Sequence, residues 1–90
     1  MKMHKKRISE LRKHIDSKTH YYEGITAGIR RFTAETFSLS DEEFDRNATK
    51  VCIALMEISN NKDDDYWSGF YWVTREILWR ILYIKLGKYD

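Results

Sequence analysis

Histidine, cysteine and clustered aspartate are the residue types with which this sequence could perform acid–base, nucleophilic or metal chemistry. None of the three histidines, His4, His14 and His20, lies four residues from another, so no helical two-histidine metal site is predicted. His20 follows Asp16 by four positions, which favours a local ion pair. The spacing suggests no Ser-His-Asp arrangement. We therefore predict no catalytic residue, no metal site and no cofactor, and we expect the protein not to be an enzyme.

Three consecutive aspartates, Asp63, Asp64 and Asp65, lack the spacing and the distal glutamate of a calcium loop. They precede a long apolar segment, where a helix N-cap and its first-turn acids belong. The single cysteine, Cys52, lies in an apolar stripe with no base nearby in sequence, which predicts a buried thiol rather than a nucleophile. A lone cysteine also fits a reducing compartment, so we expect a cytoplasmic protein.

The most apolar part of the chain runs from Tyr66 to Leu86 and follows these aspartates. Its periodicity predicts a helix over about residues 64–86, with Gly87 in the left-handed conformation after its end. A membrane span is rejected because Arg75, Glu76 and Arg80 would lie near the bilayer centre. The predicted inward face consists of Trp67, Phe70, Tyr71, Val73, Thr74, Ile77, Leu78, Ile81, Leu82 and Ile84.

The opposite face of this helix is the leading candidate for a working surface. It combines aromatic residues with arginine, the types enriched at protein interfaces, and also includes Gly69. Its candidate partner-binding residues are Trp72, Arg75, Trp79, Arg80 and Tyr83. Two other interpretations stay open: a small bundle could bury this face within the monomer, or the face could bind a small ligand.

A seam of mostly apolar residues at alternating spacings of three and four predicts a first helix over about residues 4–37. The seam consists of Ile8, Leu11, Ile15, Lys18, Tyr22, Ile25, Ile29, Phe32, Thr36 and Leu39. Such a helix, about 50 Å long, would overhang two helices of about 30–35 Å. Another chain could cover the overhang as a coiled coil, or the helix could bend at Gly24 and Gly28; the seam also suits an ordinary bundle helix.

The charge is distributed unevenly. Residues 1–31 carry nine Lys or Arg and three Asp or Glu, whereas residues 32–65 carry three and nine. The alternative function is therefore binding of an anionic ligand, namely RNA, DNA or a nucleotide, through the basic first helix. The candidate cations are Lys5, Lys6, Arg12, Lys13, Arg30 and Arg31. The solvated face of a long amphipathic helix has a similar composition.

The second helix has the clearest start signal. Ser40 and Glu43 have the spacing of a capping box, and Leu39 and Phe44 that of a hydrophobic staple, so a helix is predicted over about residues 41–59. The two asparagines that follow favour a left-handed end. Its predicted inward stripe consists of Phe44, Ala48, Val51, Cys52, Leu55 and Ile58.

Together these signals predict an all-α fold in one domain of residues 1–90. We expect a small three-helix protein in which a long N-terminal helix packs on an antiparallel helical hairpin. The favoured function is a non-enzymatic protein-binding module, of inhibitor or adaptor type, that acts as a homo-oligomer and has no membrane partner. The overhanging seam and the opposite charge blocks are the reasons for expecting self-association.

Overall fold

A computed structural model describes the backbone of residues 2–87 and the side chains of residues 8–87. The described chain forms helices α1 (Lys2–Thr36), α2 (Asp41–Asn60) and α3 (Asp65–Lys85), and contains no strand. Each boundary lies within two residues of its prediction. The all-α fold, with a long first helix packed on a helical hairpin, is confirmed.

Capping groups fix the helix ends where the sequence places them. The Ser40 hydroxyl accepts a hydrogen bond from the Glu43 backbone N–H at 3.2 Å, and the Ser40 N–H donates to the Glu43 carboxylate at 3.1 Å. The hydrogen bond from the Ser40 backbone is the main cause that lowers the pKa of Glu43. The Asp64 carboxylate accepts from the Trp67 N–H at 3.0 Å, and Gly87 has φ 69°. The predicted capping box, aspartate cap and left-handed glycine are all confirmed.

Two local predictions are wrong. Asn61 ends α2 with φ −92°, so the chain turns there without a left-handed asparagine. His20 lies 3.6 Å from the Glu23 carboxylate and pairs with it instead of with Asp16. On a helix surface, a side chain is adjacent to residues both three and four positions away, so the sequence spacing alone does not decide which of the two it pairs with.

Helix α3 is the central element, and α1 runs parallel to it. Ser17 donates a hydrogen bond to the Asp65 carboxylate at 2.6 Å, and farther along the two helices Gly28 lies beside Phe70 and Val73. Helix α2 runs antiparallel to α3, because Lys85 near the end of α3 donates to the Asp45 carbonyl near the start of α2. The predicted antiparallel hairpin is therefore the pair α2–α3.

Three buried glycines let the backbones of α1 and α3 touch. A Cβ at Gly24 would collide with the Tyr66 carbonyl oxygen, and a Cβ at Gly69 would collide with the Tyr21 carbonyl oxygen. Gly69, which we predicted on the outward face, is thus part of the helix contact. Helix α1 continues through Gly24 and Gly28 without interruption, so these glycines serve close packing and not a break.

The core is small. Its buried apolar residues are Ala48, Cys52, Leu55, Phe70 and Val73. Ser59 and Thr74 are also buried, and their hydroxyls donate to carbonyls of the preceding helical turn. Ile58 and Ile84, both predicted to face inward, are exposed.

The predicted seam of α1 is only partly its packing face. Its buried residues are Gly24, Gly28 and Thr36, flanked by half-buried Tyr21, Ile25 and Phe32. Of these, Ile25, Phe32 and Thr36 belong to the predicted seam. The seam residues Ile8, Leu11, Ile15, Tyr22 and Ile29 remain exposed. The cause is the glycine contact, which brings α3 against the side of α1 that carries Gly24 and Gly28 and covers only part of the seam.

Residues of α1 before Ser17 extend beyond the start of α3, since Ser17 contacts Asp65 at the first position of that helix. The chain measures 62 × 27 × 21 Å, and its radius of gyration is 17.5 Å. A compact chain of this length would have a radius of about 12 Å. The predicted overhang is therefore present, and within this chain nothing described covers it.

Candidate protein-binding face

The candidate binding face lies on the outer side of α3 and is not buried by the other helices. Trp72 is 45% exposed, Trp79 is 48% exposed and Tyr83 is 45% exposed. Trp72 and Trp79 lie seven residues apart, about two helical turns, so their rings follow one line along the helix. Because α1 and α2 both pack on the inner side of α3, about half of each of these side chains stays exposed.

The exposed apolar surface is one residue longer than the sequence indicated. Leu86 follows Trp79 by seven positions and is 70% exposed. The seven-residue spacing between the two tryptophans could have identified Leu86 as well. Its position next to Gly87, however, suggested only the end of the helix. We define the aromatic face as Trp72, Trp79, Tyr83 and Leu86, flanked by Arg75 and Arg80.

The two arginines beside this face differ in their surroundings. The Arg80 guanidinium lies 3.2 Å from the Glu76 carboxylate, which is an exposed ion pair of the kind worth less than about 1 kcal/mol. Arg75 is exposed, and within residues 8–87 no carboxylate lies at ion-pair distance from it. Arg75 can therefore direct its guanidinium to a carboxylate on another molecule, whereas Arg80 must first leave Glu76.

A shallow hollow of about 330 Å³ adjoins one end of the face. Its lining includes Trp72 and Arg75 of α3, Asn60 at the end of α2 and Lys62 in the link between these helices. This hollow offers both an aromatic wall and donor groups. It is large enough to take a side chain from a bound molecule.

The six cations proposed for an anionic ligand are not brought together. The side chains of Lys5 and Lys6 lie outside the described residues. Arg12 and Lys13 are exposed on the overhang, whereas Arg30 lies about 26 Å farther along the same helix. Arg31 forms an ion pair with Glu35 at 3.0 Å. A single ligand of nucleotide size cannot span both groups.

Arg30 and Arg31 instead line an open groove that the sequence did not predict. The groove has a volume of about 930 Å³ and lies between α1, the end of α2 and the start of α3. Its aromatic lining residues are Tyr22, Tyr66, Trp67 and Phe70. These residues come from two helices, so only the packing of α1 on α3 reveals that they share one surface.

The single thiol and the possible metal ligands of the described residues do not form a site. Cys52 is fully buried, and burial raises its thiol pKa to about 11. Within residues 8–87, no three His, Cys, Asp or Glu side chains are grouped as metal ligands would be. A search of the same described part for a helix long and apolar enough to cross a membrane finds none.

Comparison with protein-family models, with curated proteins and with solved structures gives no significant match to this chain. Its function is therefore inferred from its own geometry and chemistry.

Proposed function

We propose that this chain is a non-enzymatic protein-binding module, of inhibitor or adaptor type, that contacts another protein through the aromatic face of α3 and acts as a homo-oligomer. The observation that carries the proposal is the half-exposed pair Trp72 and Trp79 on the outside of the central helix. Tryptophan and arginine on a rigid element are the residues that dominate binding energy at protein interfaces. Because α3 is held in place by packing along its inner side, it presents these residues without the loss of conformational entropy that a flexible segment would undergo on binding.

The exposed rings can supply substantial binding energy. A tryptophan buries about 200 Å² when fully covered, so covering the exposed half removes about 100 Å² from water. At about 25 cal/mol per Å², each indole would contribute about 2.5 kcal/mol. Two such rings suffice to make this face the centre of an interface.

The chemistry of the face indicates the kind of partner. The partner would present an apolar surface to the row of rings and a carboxylate to Arg75, because a guanidinium binds a carboxylate through paired hydrogen bonds. Residues 66–90 carry four Lys or Arg and two Asp or Glu, which favours an acidic rather than a basic partner at this site. We place this activity in the cytoplasm on the basis of the single cysteine.

The test is a comparison of Trp79→Ala with Ile53→Ala, an equally exposed apolar residue on α2 outside the face. Both variants should keep the helical circular dichroism of the wild type. Trp79→Ala should weaken binding of a co-purified partner by at least about 30-fold, corresponding to about 2 kcal/mol. Equal loss in both variants, or no loss in Trp79→Ala, would rule out the face as the binding site.

A second candidate function is binding of an anionic ligand, and the groove beside Arg30 and Arg31 is the observation that favours it. Tyr22, Tyr66 or Trp67 could stack on a base while an arginine meets a phosphate. The test is titration of a fluorescently labelled single-stranded oligonucleotide at several salt concentrations. This function would be supported if the affinity fell steeply as salt concentration rose, and if that fall were steeper for the wild type than for Arg30→Gln. Affinity independent of salt would exclude it.

A further inference from the structure

The overhanging part of α1 carries an apolar row that nothing described in the chain covers. Ile8, Leu11 and Ile15 are 41%, 59% and 58% exposed and follow one another at spacings of three and four residues. Large aliphatic residues at this spacing form the seam by which helices pair in coiled coils. We propose that a second copy of this chain packs antiparallel on this row, so that the two overhangs form the dimer contact. The inference deepens the self-association that is part of the proposed function.

An antiparallel pair fits the length and spacing of the row. If the Leu11 residues of two copies meet at a two-fold axis, Ile8 of each copy lies within one residue, about 1.5 Å along the helix, of the level of Ile15 of the other. The contact would then include residues 2–20 of each helix, a length of about 27 Å. The bodies formed by α2, α3 and the rest of α1 would lie at opposite ends, where they do not collide.

Charge selects the antiparallel orientation over the parallel one. Residues 2–16 carry six Lys or Arg and two acids, so a parallel pair would place two cationic segments side by side. In the antiparallel pair the basic start of one helix runs beside residues 16–20 of the other. Asp65 is bonded to Ser17 there, and Asp64 lies beside His20. Each cationic segment thus approaches the acidic end of its partner's body.

The amount of exposed surface also fits a missing partner. The chain exposes 7341 Å². A folded monomer of its mass would expose about 5,600 Å², so the excess is about 1,700 Å². Each partner of a standard interface contributes about 800 Å². The excess exposed area is therefore large enough for both the dimer contact and a separate interface at the aromatic face.

The first experiment measures mass by light scattering during gel filtration for the wild type, Leu11→Glu and Phe37→Glu. Phe37 is 85% exposed and lies outside the row, so its variant is the matched control. The wild type and Phe37→Glu should elute at twice 10.9 kDa, and Leu11→Glu should elute as a monomer with unchanged helicity. A dimer that survives Leu11→Glu, or a wild type that is monomeric at all concentrations, would overturn the proposal.

The second experiment determines the orientation by disulfide trapping in a Cys52→Ala background. Ile8→Cys and Ile15→Cys should form a mixed disulfide when the two proteins are combined under oxidising conditions, while Ile8→Cys alone should give little homodimer. Strong trapping of Ile8→Cys with itself would indicate a parallel pair and contradict the proposal. Trp79→Ala should still dimerise. The two proposals can therefore fail separately. The dimer proposal fails if Leu11→Glu stays a dimer, whereas the aromatic-face proposal fails if Trp79→Ala keeps its partner.

Discussion

At the residue scale, the two arginines of the aromatic face should contribute unequally to binding. Arg80 is already paired with Glu76, whereas Arg75 has no acidic neighbour at ion-pair distance among the described residues. Arg75→Gln should therefore weaken partner binding by about tenfold at low salt, and Arg80→Gln by a smaller factor. Isothermal titration with the co-purified partner measures both. An equal effect of the two variants would show that the Glu76 pair does not restrain Arg80.

Cys52 makes stability depend on pH in the alkaline range. Its thiol pKa is raised from 9.0 to about 11 by burial, so the folded state keeps a proton that the unfolded state loses above about pH 9. The unfolded state then binds fewer protons, and the free energy of unfolding falls as pH rises from about 9 to 11. The contribution is on the order of 3 kcal/mol.

Urea denaturation between pH 8 and pH 11 measures this effect. Lysines and tyrosines also titrate in that range, so the relevant quantity is the difference in slope between the wild type and Cys52→Ala. We expect the variant to lose less stability per pH unit. Parallel curves would mean that the thiol is ionised as easily in the folded state as in the unfolded state.

At the element scale, the glycine contact between α1 and α3 should be intolerant of even a methyl group. Gly24→Ala gains about 1 kcal/mol of helix propensity but pushes its Cβ into the backbone of Tyr66. The expected net loss is at least about 2 kcal/mol, since backbone atoms cannot move aside. Gly28→Ala should cost less, because its Cβ first meets the end of the Val73 side chain.

Thermal denaturation of Gly24→Ala, Gly28→Ala and Ser68→Ala tests this order. Ser68 is exposed on α3 next to Gly69 and serves as the control for a change to alanine in a helix. We expect Ser68→Ala to be neutral or slightly stabilising. If Gly24→Ala were as stable as Ser68→Ala, the two helices could not lie in backbone contact.

The helices themselves could be predicted from sequence because their ends are local. Ser40 with Glu43, Asp64 and Gly87 each act on the nearest turn, and all three signals were confirmed. Only part of the packing face of α1 could be predicted in the same way, since Ile25, Phe32 and Thr36 belong to the seam but Gly24 and Gly28 do not. Hydrophobic periodicity detects large side chains, whereas this face is centred on Gly24 and Gly28, which contribute backbone and almost no side chain.

At the scale of the whole molecule, the arrangement of two copies has a measurable shape. Two chains, each 62 Å long, that overlap over about 27 Å in antiparallel orientation would be about 100 Å long. A parallel pair would be little longer than one chain. Small-angle X-ray scattering should therefore give a maximum dimension near 100 Å for the wild type and a radius of gyration near 17.5 Å for Leu11→Glu.

The candidate surfaces could be predicted from sequence to different extents. The aromatic face lies on one helix, so periodicity placed Trp72, Arg75, Trp79, Arg80 and Tyr83 together, and all five are at least partly exposed. The groove beside Arg30 depends on contacts between residues far apart in sequence. The exposure of the seam residues could not be predicted from sequence either, because it depends on the side of α1 on which α3 packs.

The central claim, that the aromatic face of α3 holds another protein, is tested most directly by native mass spectrometry of the chain purified gently from its own host. The wild type should carry a second polypeptide on a multiple of 10.9 kDa, and Trp79→Ala should keep the multiple but lose the added polypeptide. An unchanged complex in Trp79→Ala would contradict the claim. An added mass of only a few hundred daltons would instead support an anionic ligand in the groove.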